Sequence, residues 1–426
     1  MYRKDILRNG VRVVTHNIKD RDSISIGFWV GVGGRYEEGR LKGAAHFLEH
    51  ILFKGSKKYA CEEIKMLIEG VGGALNAFTS EEQTCFYAKI PSKHLNQTFD
   101  VLADMIVSPK IALQDVNKEK TVIVEEIKMY HDLPQYFVLE LLDGLLWPGH
   151  PLGKSLAGTK ETVSGMSNRD LKNFHKTHYV PENIVVAACG HLKHDRIVNL
   201  ARRKFGKLQK SPKKGYVKVD GVQSTPNARF FKKDIEQMHL ALGIPGFDEW
   251  HKERYTLSLL SVILGGNMSS RLFVEVREKR GLAYSIASSY KTLHDTGLFL
   301  IRAGVDNRKI VEATTLILKE LSKIKRLGVS QSEFQRGKDY LLGQLLLGLE
   351  DTMDNMLWVG EGMVSKNQVK TLKGVVKEFE KIKKEDIRCV AKEIFNPKRY
   401  NLALVGPVTS LQEKQLSQLL GIANFR

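Results

Sequence analysis

The hydrophobic pattern of the chain predicts that strands come early in each half and that long helices follow them. Short runs of apolar residues indicate strands, and longer segments with helical spacing indicate helices. This order favours an α+β fold, in which a largely antiparallel sheet packs against helices. The predicted elements of the first half are a strand over 24–32, helices over 42–54 and 62–69, a strand pair or one long bent strand over 74–90, and helices over about 94–107 and 114–131.

A segment near the end of the first half is repeated near the end of the chain. Residues 179–190 (YVPENIVVAACG) align without a gap with residues 395–406 (FNPKRYNLALVG), at an offset of 216 residues. Both segments are predicted to form a proline-containing turn and a buried strand that ends at glycine. A period of this length indicates two homologous domains rather than a solenoid.

The joint between the two halves is expected between Gly206 and Arg229, where lysine, serine, proline and glycine accumulate. The predicted domains are therefore 1–215 and 225–426, each a mostly antiparallel sheet packed with helices. The alternative is a long surface loop inside a single domain, and the repeat argues against it.

Composition is that of a globular protein with ample material for large cores. The chain has 426 residues, 42% of them hydrophobic and 27% charged, which fits two or more domains. No apolar run has the length of a membrane span, and residues 1–7 lack the hydrophobic core of a secretory signal. Four scattered cysteines without C-x-x-C spacing favour free thiols in a reducing compartment. A cytoplasmic location without membrane insertion is expected.

The formal net charge of +18 is compatible with nucleic-acid binding, anionic substrates or a solvated basic surface. Lysines and arginines are spread along the whole chain and form only modest clusters, such as Lys207–Lys214. Because no DNA- or RNA-binding motif accompanies them, a solvated surface is the preferred interpretation, and no nucleic-acid partner is expected.

The sequence H-x-x-E-H at residues 46–50 carries the clearest chemistry. Two histidines four positions apart lie on the same face of a helix, so His46 and His50 are placed to bind one Zn²⁺. Glu49 shares this face and is placed to deprotonate the attacking water rather than to bind metal. The alternative is that both histidines are ordinary helix residues and Glu49 is a solvated charge. The second half of the chain has no counterpart of this motif.

The residues around the motif closely resemble the zinc-site helix of the pitrilysin-type (inverzincin) metallopeptidases. The chain is similar to the half-length, two-domain, mitochondrial-processing-peptidase-like bacterial members of that family. The resemblance extends over nearly the whole chain in the family's order. Its segments are 43–55 (GAAHFLEHILFKG), 72–80 (GGALNAFTS), 125–127 (EEI), 151–153 (PLG), 277–278 (RE) and 281–284 (GLAY).

The resemblance implies that Glu126, which lies 76 positions after His50, is the third zinc ligand. The helical pattern gives independent support, because a carboxylate on an apolar face is costly unless it binds metal or hydrogen bonds. Glu125 falls on the polar face and is expected to be solvated. Glu119 is expected to hydrogen-bond the histidines or tune the site. The predicted apolar face consists of Val116, Glu119, Val122, Ile123, Glu126, Met129 and Tyr130.

Residues 75–79 resemble the family's edge strand, which binds an extended peptide by strand addition. The substrate-binding residues that this implies are Asn76, Ala77, Phe78 and Thr79. Asn76 could hold a substrate carbonyl through its amide, and its alternative role is that of a turn residue after Gly72 and Gly73.

Arg277 and Tyr284, which are seven residues apart, match the family's arginine–tyrosine pair. The resemblance implies that Tyr284 stabilises the oxyanion of a tetrahedral intermediate and that Arg277 fixes the substrate backbone. The alternative is a helix-surface arginine followed by a strand tyrosine that packs in the core.

The resemblance implies a zinc-dependent endopeptidase that cleaves unfolded peptides inside a chamber formed by two chains. A homodimer is expected, and a heterodimer with a related chain is possible. The main alternative is a non-catalytic, core-type subunit of a larger complex, because some members of the family keep the fold and lack the chemistry. The intact motif, with His46, Glu49, His50 and Glu126 all present, argues against that alternative.

Overall fold

The computed structural model describes residues 2–422, which form two sheets and the helices that pack on them. The strands are β1 (Tyr2–Ile6), β2 (Arg12–Asn17), β3 (Ser23–Val30), β4 (Ala74–Thr79), β5 (Thr84–Pro91), β6 (Ile184–Gly190), β7 (Asn227–Lys232), β8 (Gln237–Pro245), β9 (Ala283–Thr292), β10 (Gly297–Asp306) and β11 (Asn401–Gly406). The α-helices are α1 (Ala44–Leu52), α2 (Cys61–Glu69), α3 (Leu95–Val107), α4 (Leu113–Asp132), α5 (Pro134–Leu146), α6 (Lys160–Gly165), α7 (Asn168–His178), α8 (His194–Phe205), α9 (Arg254–Gly265), α10 (Ile310–Leu327), α11 (Gln331–Gly348), α12 (Thr352–Lys366), α13 (Leu372–Lys381), α14 (Lys384–Ile394) and α15 (Ser410–Leu420). No helix in this described range is both long and apolar enough to cross a membrane.

The predicted α+β class is confirmed, with helices packed on mostly antiparallel sheets. The stretch 74–90 is a strand pair, β4 and β5, rather than one bent strand. The Ser80 N–H donates to the Gln83 carbonyl at 2.8 Å, which closes the turn between the two strands.

The first compact unit contains the chain up to Ile127 together with Ser155–Val217 and Leu345–Leu372. Its six strands have the order β1-β2-β6-β3-β5-β4. The β2–β6 pair is parallel, and the other neighbours are antiparallel. One face of the sheet packs against α1, α3 and α8. Helix α12 covers the other face, where Met356 and Val359 pack in one cluster with Trp29.

The second compact unit contains Lys128–Lys154, Lys218–Gln344 and the chain from Lys373 onward. Its five strands have the order β7-β11-β8-β10-β9, with a parallel β7–β11 pair and antiparallel neighbours elsewhere. This is the order and orientation of the first sheet without β1. Helix α5 packs on the sheet through Leu141 and Leu142.

The compact units do not coincide with the predicted contiguous stretches 1–215 and 225–426. Helix α5 comes from the first half of the sequence but packs on the second sheet, and α12 comes from the second half but packs on the first sheet. The physical reason is that central strands of both sheets are apolar and buried on both faces, as β6 and β11 illustrate. A second helical layer is therefore needed on each sheet, and the other half of the sequence supplies it.

Candidate metal centre

Helix α1 carries three polar residues on one side of an otherwise apolar nine-residue helix. The three are His46, Glu49 and His50, and all are partly buried. The remaining side anchors the helix in the core of the first unit, so these three side chains share the other face. The buried residues that anchor it are Ala44, Ala45, Phe47, Leu48, Ile51 and Leu52.

A buried carboxylate holds the start of α1. Glu37 accepts hydrogen bonds from the backbone N–H groups of Gly43 (2.9 Å) and Ala45 (2.6 Å). These are among the donors that a helix leaves without intrahelical partners at its N-terminus. The Lys42 ammonium lies 3.2 Å from the same carboxylate and donates to the Gly34 carbonyl at 2.9 Å. Both Glu37 and Lys42 are buried, so the first turn of the helix is fixed by a buried ion pair.

Helix α4 brings the Glu126 carboxylate to the two histidines. Glu126 Oε2 lies 3.7 Å from His46 Nε2 and 3.3 Å from His50 Nε2. One ligand atom from each of the three residues lies within 4.8 Å of the other two. Two imidazole nitrogens and one carboxylate oxygen are the donor set of a catalytic zinc site that keeps a position open for water. The three residues therefore fit a zinc ion.

The two histidines differ in their electrostatic surroundings. Burial and the neighbouring His50 lower the pKa of His46, against the opposing effect of Glu126. Burial also acts to lower the pKa of His50, but its hydrogen bonds to Glu119 and Glu126 and their charges outweigh burial and raise it. The carboxylates of Glu119 and Glu126 thus lie on either side of the His50 ring, at 3.0 Å from Nδ1 and 3.3 Å from Nε2, and place negative charge at the site.

Glu49 is turned toward the edge strand β4. Its Oε2 atom accepts a hydrogen bond from the Thr79 hydroxyl at 2.6 Å. Burial raises the pKa of Glu49, while Thr79 and His50 lower it and Glu126 raises it further. Among the described residues, the converging ligand group consists of His46, His50 and Glu126 and does not include Glu49. A partly buried carboxylate next to the ligands, but outside the group, has the position of a general base.

Glu119 hydrogen-bonds one of the two histidines. Its Oε1 atom lies 3.0 Å from His50 Nδ1, and its Oε2 atom lies 2.6 Å from Lys54 Nζ. The hydrogen bonds from His50 and Lys54 outweigh the effect of burial and lower the pKa of Glu119. An ionised acceptor at Nδ1 orients the ring of His50 and leaves Nε2 for metal.

The buried face of α4 is narrower than the sequence pattern predicts. Val122, Met129 and Tyr130 were expected on the apolar face with Glu126, but they are 50%, 49% and 38% exposed. Val122 and Met129 lie at the edge of the predicted apolar face. After Ile127, α4 belongs to the second compact unit. The residues of α4 that are buried are Val116, Glu119, Ile123 and Ile127.

Strand β4 is an edge strand of the first sheet and pairs with β5. The Asn76 side-chain oxygen accepts a hydrogen bond from the Ala77 N–H at 2.8 Å. The Phe78 ring packs against Trp29 at 5.5 Å between ring centroids. The Thr79 side chain is bonded to Glu49. The side chains of Phe78 and Thr79 thus make contacts within the protein. It is the position of β4 at the edge of the sheet that allows a peptide strand to add to it.

Arg277 and Tyr284 both lie in the second compact unit. Arg277 belongs to a π-helical segment, Phe273–Glu278, and its guanidinium lies 4.6 Å from the centre of the Phe273 ring. Tyr284 stands near the start of the edge strand β9 and is 75% exposed. The alternative in which Tyr284 packs in the core is therefore wrong.

Sequence reasoning did not predict three side-chain contacts that support the site. Glu37 caps α1, Lys54 pairs with Glu119, and the Thr79 hydroxyl binds Glu49. Lys54 and Thr79 lie in segments that carry the family resemblance, so a sequence signal was present for them. Glu37 lies outside those segments, and two of its three contacts are with backbone groups, which no residue pattern marks.

Comparison with protein families gives two matches that together cover most of the chain. A model described as "Insulinase (Peptidase family M16)" matches residues 12–160, and one described as "Peptidase M16 inactive domain" matches residues 165–341. The first match contains the H-x-x-E-H motif and Glu126, and the second contains the Arg277–Tyr284 segment.

Similar proteins extend over nearly the whole chain. A Bacillus subtilis protein named "Uncharacterized zinc protease YmxG" is 35% identical, over 96% of this chain and 98% of its own length. The Mycobacterium tuberculosis protein "Uncharacterized zinc protease Rv2782c" is 35% identical over 98% of this chain and 97% of its own.

Solved structures share the fold. The crystal structure of a protease from Helicobacter pylori has a TM-score of 0.90 and 25% identity, covering 95% of this chain and 99% of that one. A "peptidase M16 inactive domain" from Pseudomonas fluorescens has a TM-score of 0.89 at 18% identity, covering 96% of this chain and 98% of that one. At that identity the second likeness concerns the fold alone.

Proposed function

The chain belongs to peptidase family M16, as the sequence resemblance implies, and we propose that it is a zinc-dependent endopeptidase that cleaves unfolded peptides. The observation that carries the proposal is the convergence of His46, His50 and Glu126 within 4.8 Å. Glu49 lies on the same helix face, where its carboxylate is bonded to Thr79. A structural ion-pair cluster would have no need for a base held in this position.

Each side chain of the site has a separate role in the proposed reaction. Zinc, when held by His46, His50 and Glu126, would supply Lewis-acid polarisation of the scissile carbonyl and lower the pKa of water. Glu49 takes the proton from the attacking water and returns it to the leaving amine. The Thr79 hydroxyl orients the Glu49 carboxylate during both transfers.

Peptide binding is assigned to the edge strand β4. An extended peptide can add to the edge of a sheet through main-chain hydrogen bonds, which supply affinity and register with little dependence on sequence. Asn76 and Ala77 are the residues of β4 proposed to contact it. Most segments of a folded domain are already paired within its own structure, so unfolded peptides are the proposed substrates.

The second half is assigned a part in transition-state binding. Tyr284 is a largely exposed residue. Its hydroxyl can donate a hydrogen bond to an oxyanion, and Arg277 can hold a substrate backbone carbonyl. Following the family resemblance, two copies of the chain are proposed to form a closed chamber as a homodimer. A cytoplasmic location is proposed with it.

A second candidate function is a non-catalytic, core-type subunit of a larger complex. The observation that favours it is the match of residues 165–341 to a domain described as inactive. That match concerns the half without the H-x-x-E-H motif, whereas the half with the motif matches the other family model. The intact ligand group therefore favours the enzyme.

Metal depletion and restoration distinguish the two candidates. The purified chain is stripped with a chelator, and cleavage of a library of unstructured peptides is followed by mass spectrometry before and after one equivalent of Zn²⁺ is added. The enzyme is expected to bind about one zinc per chain and to cleave only when loaded. A chain that binds no zinc, or binds it and cleaves nothing, would favour the non-catalytic subunit.

A further inference from the structure

The Glu119 carboxylate joins His50 to Lys54. One oxygen of Glu119 lies 3.0 Å from His50 Nδ1, and the other lies 2.6 Å from Lys54 Nζ. Glu119 is only 4% exposed, so its charge is balanced by these neighbours rather than by bulk water. Lys54 follows α1 closely in sequence, and its backbone N–H donates to the Ile51 carbonyl at 3.1 Å. The backbone position from which the Lys54 side chain extends is therefore fixed.

We propose that Lys54 is a positioning residue of the metal centre, which sets zinc affinity through Glu119. Its ammonium balances the charge of the buried carboxylate and holds it in place, so that Glu119 accepts a hydrogen bond from His50 Nδ1 and His50 Nε2 faces the metal. The inference rests on the proposed function, since it requires that the site bind zinc.

The energetic argument begins with burial. A carboxylate in this environment is costly when it has no charged partner. Without Lys54, one of the two carboxylate oxygens of Glu119 would lose its charged partner. The carboxylate would be expected to turn away, and His50 would lose the acceptor that fixes its ring. Hydrogen-bond partners of this kind contribute about 10- to 100-fold to metal affinity.

A direct electrostatic effect of Lys54 on the metal opposes the effect that it has through Glu119. Lys54 is positively charged, so its repulsion of Zn²⁺ alone would weaken binding, and its removal would strengthen it. The Lys54 side chain is 36% exposed, however, whereas that of Glu119 is 5% exposed. Solvent screens the repulsion more than it screens the buried contact, so we expect the contribution through Glu119 to dominate. The two effects have opposite signs, and the sign of the measured change decides between them.

The experiment measures the zinc dissociation constant of the full-length chain by competition with a chromophoric chelator at one pH. Lys54→Met keeps most of the aliphatic stem and removes the charge, and it is expected to weaken zinc binding about tenfold. Lys54→Arg keeps a charged donor for Glu119 and is expected to weaken zinc binding less than Lys54→Met does. Lys57→Met removes the same charge from an exposed residue of the same loop and is expected to leave affinity unchanged. Lys54→Arg also provides a folded comparison should Lys54→Met be unstable.

A double-mutant cycle tests whether Lys54 acts through Glu119. In a Glu119→Gln chain, Lys54→Met is expected to cause no further loss of affinity. Unchanged or tighter binding by Lys54→Met alone would overturn the inference, as would an equal loss in the Glu119→Gln background. These results would leave the proposed function standing. A parent chain that binds no zinc would overturn the proposed function and this inference together.

Discussion

The Thr79 hydroxyl donates a 2.6 Å hydrogen bond to the Glu49 carboxylate, which links the last residue of the edge strand β4 to the proposed general base. Glu49 lies on α1 and Thr79 lies on β4, and both elements belong to the first compact unit. The strand proposed to hold the peptide and the residue proposed to deprotonate water are therefore in direct contact.

Removal of the Thr79 hydroxyl is expected to lower kcat more than it raises KM. Thr79→Val keeps the shape of the side chain and loses the hydrogen bond, so the Glu49 carboxylate is no longer fixed. A hydrogen bond to a charged group contributes about 1.5–3 kcal/mol, so a decrease in kcat of at least roughly tenfold is expected. Thr79→Ser should restore most of it, and zinc content should be unchanged in both variants. A loss that serine does not rescue would assign Thr79 a packing role instead.

Substitution of Glu37 is expected to destabilise the first unit. Glu37→Gln removes the charge that caps α1 and leaves the buried Lys42 ammonium without this carboxylate partner. Breaking a buried ion pair in this way costs about 3 kcal/mol, which a shift of the urea midpoint should report. Glu38→Gln changes an exposed neighbour and serves as the control. If both variants unfold at the same urea concentration, the Glu37 contacts contribute little to stability.

A pH-dependent loss of stability is expected from His175. Its Nε2 atom bonds to the Ile106 carbonyl at 2.8 Å, and burial, partly offset by that bond, lowers its pKa to about 4. Because this is below the unfolded value of about 6.5, the unfolded chain binds more protons between these values, and stability falls as the pH falls through that window. His175→Gln keeps a hydrogen-bond donor at this position and removes the imidazole that titrates.

The measurement compares urea unfolding of the parent chain and His175→Gln at pH 7.5 and pH 5. Between these values the parent should lose about 2 kcal/mol more than the variant. Equal losses would show that the proton uptake of His175 is the same in the folded and unfolded chains.

The homodimer proposal is tested by mixing two inactive variants. Chains with Glu49→Gln and chains with Tyr284→Phe are co-expressed, each expected to be poorly active alone. If the tyrosine that completes a site comes from the other chain, random assembly gives roughly one quarter of the activity of the unsubstituted protein, since half of the dimers are mixed and each of these has one intact site of two. If Tyr284 acts within its own chain, every site carries a defect. Mixed dimers, confirmed by mass, would then restore nothing.

The sequence predicted the fold class and the ligand group more completely than the side-chain contacts around them. The H-x-x-E-H spacing depends only on helical geometry, and the structure brings His46, His50 and Glu126 together. The exchange of α5 and α12 between the two sheets could not be predicted, because an apolar helix face does not indicate which sheet will cover it. The contact of Lys54 with Glu119 and the contact of Thr79 with Glu49 join residues that are distant in sequence. The family resemblance includes Lys54 and Thr79, but no local pattern indicates which residue each one contacts.

The most direct test of the central claim separates metal binding from proton transfer. Glu49→Gln and Glu126→Gln make the same chemical change at two carboxylates of one site, and Glu125→Gln makes it at an exposed neighbour. Zinc content and peptide turnover are measured for each variant. Glu49→Gln should retain about one zinc per chain and lose at least about 10²-fold in turnover. Glu126→Gln should lose zinc affinity, and Glu125→Gln should change neither quantity. Loss of zinc by Glu49→Gln, or unaltered turnover in that variant with zinc retained, would contradict the assignment of Glu49 as the general base beside a zinc ion held by His46, His50 and Glu126.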